Sequence, residues 1–278
     1  MRLLRNYLIP LLCSLALTQT VMAAPDDSLW NKTLKTSYFA GKNIQESDTV
    51  IELETPYRAE DPALVPIKII SKIKQTNDHY IKKITVIIDK NPYPFVAEFE
   101  LTPKTGKADL AMRVRVNTYS YIRAIAEMNN GQLHMSKKFV KASGGCSAPI
   151  GADLETAMKR LGKMKFKVNK KIKLGEPSLA QLLISHPNIT GMQMDQVTRF
   201  TKKSHFMEKL SISFNDQRLL TAKTDIAISA DPNFRFYFIP EKSGVLKAEF
   251  SDTSCESPTS RKVCTQGRKY TQTYTVAP

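Results

Sequence analysis

The chain reads as all-β, with two antiparallel β-sandwich domains joined by a short helical linker, and three observations predict this. Short apolar runs separated by polar turns fill residues 50–140 and again 166–276, several of them alternate with period two, and one stretch between the two series switches to helical spacing.

In the first series the runs are Val50–Leu53, Val65–Ile73, Ile81–Ile88, Phe95–Leu101, Ala111–Val116, Tyr119–Met128 and Leu133–Val140. Across Ala108–Val116 the residues Ala108, Leu110, Met112, Val114 and Val116 share one face, while Asp109, Arg113 and Arg115 share the other, as in a strand with one face on a core. Asn91-Pro92, Lys104-Thr105-Gly106 and Asn129-Asn130-Gly131 supply the turns, and Asn130-Gly131 suits a hairpin. In the middle, Leu154, Ala157, Met158 and Leu161 recur at helical spacing behind Asp153, a good N-cap, with Gly162 closing the run. Strand-like segments then resume at Phe166–Leu174, Leu179–Ile184, Leu210–Phe214, Leu219–Ile228, Phe234–Ile239, Val245–Phe250 and Tyr270–Val276.

Arg2 and Arg5, the apolar stretch Leu8–Leu17 and the small-residue pattern Val21-Met22-Ala23 read as a cleavable signal peptide over residues 1–24. The apolar run is too short to span a bilayer, so export without stable membrane insertion is expected. The domain limits follow as 25–146 for the first sandwich, 147–165 for the linker and 166–278 for the second.

Net charge is +15, about +13 once the two leader arginines are removed. The lysines are spread along the chain without aromatic interleaving or a zinc or RNA-binding signature, which argues against nucleic acid as the partner. A basic surface on an exported protein favours acidic protein partners or small anions, through an attraction that salt weakens.

Cys13 leaves with the leader, so Cys146, Cys255 and Cys264 remain. Cys255 and Cys264 flank a polar, turn-rich stretch and are expected to form a local disulfide in an oxidising compartment. Cys146 is left over, in Ser143-Gly144-Gly145-Cys146-Ser147-Ala148-Pro149. Gly144 and Gly145 free the backbone, and with small Ser147 they should leave the thiol uncovered. Lys137, Lys138 and Lys141 precede it and no acid follows until Asp153, a balance that favours the thiolate modestly. The alternative is a turn in which a small cysteine stands where serine would serve.

There is no Gly-x-Ser-x-Gly elbow, P-loop or dinucleotide fingerprint, so neither an enzyme nor a bound cofactor is expected. His186, Met192, Met194, His205 and Met207 lie close in sequence and would suit copper, although methionines in a β domain are usually packing residues.

With these residues in view, the chain resembles the SoxY and SoxZ sulfur-carrier proteins joined in one polypeptide. The first half, ending in Gly144-Gly145-Cys146, is similar to SoxY, and the second is similar to SoxZ in His186-Pro187, Thr190-Gly191 and Ser229-Ala230-Asp231-Pro232-Asn233-Phe234-Arg235-Phe236. The fused order, with Ser-Gly-Gly-Cys-Ser-Ala-Pro and Ser-His-Pro-Asn-Ile-Thr-Gly-Met-Gln-Met-Asp-Gln, resembles SoxYZ-like carriers associated with quinoprotein dehydrogenases. The resemblance implies immunoglobulin-like sandwiches, a periplasmic non-enzyme, and Cys146 as the covalent carrier of a sulfur intermediate. The implied partners are a quinoprotein dehydrogenase, its cytochrome, or the enzymes of sulfur (thiosulfate) oxidation. In SoxY the cysteine ends a free C-terminal arm with glycines on both sides; here Ser147, Ala148 and Pro149 follow it and a second domain tethers it.

Overall fold

The computed structural model describes residues 26–149, 154–169, 171–195, 198–255 and 267–277. The first half opens with a π-helical turn, Trp30–Leu34, that runs into α1, Lys35–Phe39. Eight strands follow: β1 Ile44–Glu46, β2 Ile51–Glu54, β3 Val65–Ser71, β4 Ile81–Ile88, β5 Phe95–Leu101, β6 Leu110–Val114, β7 Ser120–Met128 and β8 Leu133–Val140. After α2, Leu154–Lys159, the second half contributes β9 Met164–Val168, β10 Ser178–Ile184, β11 Met207–Phe214, β12 Gln217–Thr224, β13 Asn233–Phe238, β14 Gly244–Cys255 and β15 Gly267–Val276.

The strands form two facing sheets, and both sheets run through both halves. One has nine strands in the order β1-β8-β7-β4-β5-β12-β11-β14-β15, and the other has six in the order β2-β3-β6-β13-β10-β9. All pairings are antiparallel except β1 with β8. The halves meet edge to edge, where β5 pairs with β12 from Leu101↔Leu220 to Ala97↔Thr224 and β6 touches β13 at Ala111↔Arg235. The two sandwiches thus merge along a seam through shared sheets.

Period-two alternation explains the core between these sheets. In β6 the residues Leu110, Met112 and Val114 are buried, and in β10 so are Ala180, Leu182 and Ile184. With Ile51, Ile67, Phe99, Phe236, Ile212 and Phe250 they belong to one apolar core that spans the seam. A smaller cluster on the outer face of the nine-stranded sheet packs Trp30 and Leu34 on Ile87, Ile125 and Met135. That docking is fixed by Arg123, fully buried, which hydrogen-bonds Asp89 at 2.7 Å and 2.8 Å, pairs with Asp27 and lies 4.4 Å from the Trp30 ring. The helical segment was not anticipated from the sequence.

The linker helix falls where its spacing predicts, but it buries Ala157 while Met158 is largely exposed. Its predicted N-cap, Asp153, and the predicted signal peptide lie outside the described residues. No described helix is long and apolar enough to cross a membrane.

Candidate functional site

The segment after β8 returns along the end of the sandwich and is tied into the seam. Gly144 takes a left-handed φ of 81°, and its carbonyl accepts the Ser147 N–H at 3.2 Å, closing a tight turn over Gly145 and Cys146. Gly144 N–H donates to the Asn117 carbonyl at 2.8 Å, and Gly145 N–H donates to the Val116 carbonyl at 3.0 Å. Gly145 is required by close approach, because a Cβ there would run into the carbonyl oxygen of Pro62. The Val116 N–H is bound in turn to that Pro62 carbonyl, at 2.9 Å.

Three side chains complete the clamp. Asn117 Oδ1 accepts the Cys146 N–H at 3.4 Å, the Arg115 guanidinium donates to the Gly145 carbonyl at 3.1 Å, and Thr190 Oγ1 donates to the Cys146 carbonyl at 2.6 Å. Thr190 belongs to the second half, so the turn bridges the seam. Thr190 is itself held by Gln193, whose Oε1 accepts the Thr190 N–H at 2.9 Å.

Two expectations about Cys146 are overturned. The thiol is not uncovered: Cys146 is 1% exposed, while Ser147 beside it is exposed. Small neighbours allow close packing as readily as access, and here the seam supplies the cover. Nor does local charge favour the thiolate, since burial pushes the thiol up to about 11, with the Arg115 charge opposing that rise. The three lysines act elsewhere. Lys137 pairs with Asp27 and Glu46, Lys138 pairs with Asp48, and Lys141 lies over the Tyr57 ring.

Arg115 was expected on the polar face of its strand, yet it is 2% exposed: it lies one residue past the end of β6, where the chain is bonded to the second half, while Arg113 on the same face of β6 stays half-buried. Its N–H donates to the Ala227 carbonyl at 2.7 Å and its carbonyl accepts from Asn91 Nδ2 at 2.9 Å. Alternation alone could not reveal this burial. Opening the turn breaks five hydrogen bonds at about 1 kcal/mol each.

Of the proposed copper ligands, the structure brings the two histidines together, beside Asp252. His205 Nε2 lies 3.0 Å and His186 Nε2 3.4 Å from Oδ2 of buried Asp252, and the potential ligand atoms of the three residues lie within 4.8 Å of one another. Met207 is sealed in the core and Met194 points to solvent. The cluster has the residue types of a metal site, but His186 Nδ1 accepts the Asn188 N–H at 3.0 Å. A neutral ring so held carries its proton on Nε2, which lies 3.4 Å from Asp252 Oδ2 and is buried without a hydrogen-bond partner. The Asp252 carboxylate is bonded by His205, by Tyr270 Oη–H at 3.1 Å and by Ser254, while His186 lies beside it. Burial alone would raise the Asp252 carboxyl; His186, His205 and Ser254 outweigh that and hold it well below the usual range. Cys264 and the side chain of Cys255 lie outside the described residues, and so does the disulfide expected of them.

Residues 35–146 match the family model "Sulfur oxidation protein SoxY", ending on Cys146, and residues 164–263 match "Sulphur oxidation protein SoxZ". The chain joins a SoxY domain to a SoxZ domain. Cys146 is therefore the last residue of the SoxY match, and Thr190, which holds its carbonyl, belongs to the SoxZ domain. Among solved structures, the sulfur carrier protein SoxY from Chlorobium limicola f thiosulfatophilum is 24% identical, with a TM-score of 0.33 over 39% of this chain and 88% of its own. A superoxide reductase (neelaredoxin) from Ignicoccus hospitalis is 14% identical, with a TM-score of 0.30 over 33% of this chain and 79% of its own. A putative superoxide reductase from Thermotoga maritima is 21% identical, with a TM-score of 0.31 over 35% of this chain and 92% of its own. A search of curated protein sequences returns no match.

Proposed function

We propose that this SoxY–SoxZ chain is a periplasmic, non-enzymatic carrier that holds a sulfur species covalently on Cys146. The observation that carries the reading is the position of Cys146: it closes the SoxY domain and lies in a turn held by residues of both domains. Partners supply the chemistry, and they are a quinoprotein dehydrogenase, its cytochrome or sulfur-oxidation enzymes. Loading then requires the turn to open, since a thiol buried at rest meets no partner. The limited number of hydrogen bonds that hold the turn makes that opening attainable when a partner binds the open form.

Intact mass spectrometry of protein from its native periplasm, with and without reductant and with peptide mapping, tests the reading. An added mass on Cys146 that reductant removes, and that is lost in Cys146→Ser, is expected. An unmodified Cys146 throughout would overturn it.

A second reading has its own support in the buried, protonated thiol and the net charge of +15. In it the chain docks on an acidic dehydrogenase or cytochrome and Cys146 is a packing residue. Binding that weakens steeply with salt and is indifferent to Cys146→Ser would favour docking.

A further inference from the structure

We infer that Arg115 is the residue that makes the closed Cys146 turn selective for anionic adducts, the guanidinium being the counter-charge for a negatively charged group attached to the sulfur. The inference rests on the carrier reading and adds a determinant of what is carried.

Among the described residues two arginines, Arg115 and Arg123, are fully buried, and they are treated differently. Arg123 has Asp89 and Asp27 as ion-pair partners. Arg115 has no carboxylate within ion-pair distance among the described residues, its Nε has no hydrogen-bond partner, and its one side-chain bond goes to the carbonyl next to Cys146. Asp61 acts on it only at longer range, and that carboxylate is exposed and already bonded to the Ala63 N–H. A buried guanidinium without a counter-charge is costly, and its backbone is pinned from both domains, by Ala227 and Asn91, so it stays in place.

The sulfur of Cys146 lies within its field, but a neutral thiol supplies no negative charge. An adduct that ends in an anionic sulfur or oxygen would. A second spare donor comes from the SoxZ domain: Gln193 is 1% exposed, its Oε1 is committed to Thr190, and its Nε2 has no partner. A buried guanidinium Nε left unpaired beside the Cys146 turn fits a charged acceptor better than an apolar one.

Two adducts of nearly equal size test this. In one preparation the Cys146 thiolate displaces iodide from iodoacetate and forms an S–CH2COO⁻ thioether. In the other it displaces iodide from iodoacetamide and forms S–CH2CONH2, with the thiol proton going to buffer in both. Hydrogen exchange at the Gly145 and Cys146 amides, read in the full-length protein by mass spectrometry, reports how tightly each adduct closes the turn. Protection about ten-fold greater for the carboxymethyl than for the carbamidomethyl protein is expected. The difference should vanish in Arg115→Gln and persist in part in Arg115→Lys. Equal protection of the two wild-type adducts, or the reverse order, would overturn the inference, and that comparison needs no variant to fold. An unmodified Cys146 in native protein would sink the carrier reading and leave this comparison untouched.

Discussion

Thr190 donates a 2.6 Å hydrogen bond from its hydroxyl to the carbonyl of Cys146, joining the residue that ends the SoxY domain to a loop of the SoxZ domain 44 residues away. The bond is buried, so its removal leaves an acceptor without water or partner.

Thr190→Val should cost about 1–3 kcal/mol. Because the bond is broken when the turn opens, most of that cost should appear as more frequent opening, raising the alkylation rate of Cys146 by about ten-fold or more. Iodoacetamide kinetics on wild type and variant check this, and an unchanged rate would show that the turn opens without releasing Thr190.

Gly145→Ala places a methyl against the Pro62 carbonyl. Overpacking of this kind costs about 1–3 kcal/mol, and the turn should lift away from residues 62 and 116. The expected signature is a fall in the thiol titration midpoint from about 11 toward the ordinary cysteine value, followed by thiolate ultraviolet absorbance.

The raised thiol value has a consequence for stability. A group whose folded value lies above its unfolded value stabilises fully below the unfolded value and loses that contribution as pH rises through the folded one. For Cys146 the window runs from 9.0 to about 11. The gap corresponds to about 2–3 kcal/mol. Urea midpoints for wild type minus Cys146→Ser, which cancel the lysine and tyrosine contributions, should fall across that window and stay level below it.

On the acid side Asp252 behaves in the opposite sense. Its folded value lies below the reference 3.8, so its contribution is present above that pH and disappears as pH falls further. His186 is pushed below 6.5 mainly by burial, so the fold also loses stability as pH drops beneath that value. Asp252→Asn should remove the lower limb of the acid unfolding curve monitored by circular dichroism.

The two buried arginines should respond differently to replacement by methionine. Arg123→Met strands Asp89, which is 3% exposed, and should cost about 3–5 kcal/mol. Arg115→Met strands no carboxylate at hydrogen-bond distance and should cost clearly less, as urea denaturation would show.

Much of the fold was legible in local pattern. Alternation across Ala108–Val116 corresponds to β6, Leu110–Val114, and helical spacing from Leu154 to Leu161 corresponds to α2, Leu154–Lys159. The run expected at Phe166–Leu174 ends at Val168, and Leu174 is half exposed, because an apolar residue in a turn carries the same letter as one in a strand. What failed to show was whatever depends on the seam. The burial of Arg115, the cover over Cys146 and the reach of Thr190 all arise where residues far apart in sequence meet, and no period of two or 3.6 records which edges will pair. Cysteine count and small neighbours single out Cys146 as a candidate, but they do not record that the seam covers it.

The pairing of β5 with β12 has a further consequence, which concerns dilution. Were the two domains separate chains, their association would weaken as protein concentration fell. Within one chain each edge meets the other at an effective concentration on the order of millimolar. The clamp on the Cys146 turn therefore does not depend on expression level, the two halves stay in a fixed one-to-one ratio, and a competing partner for either edge strand must displace a tethered one.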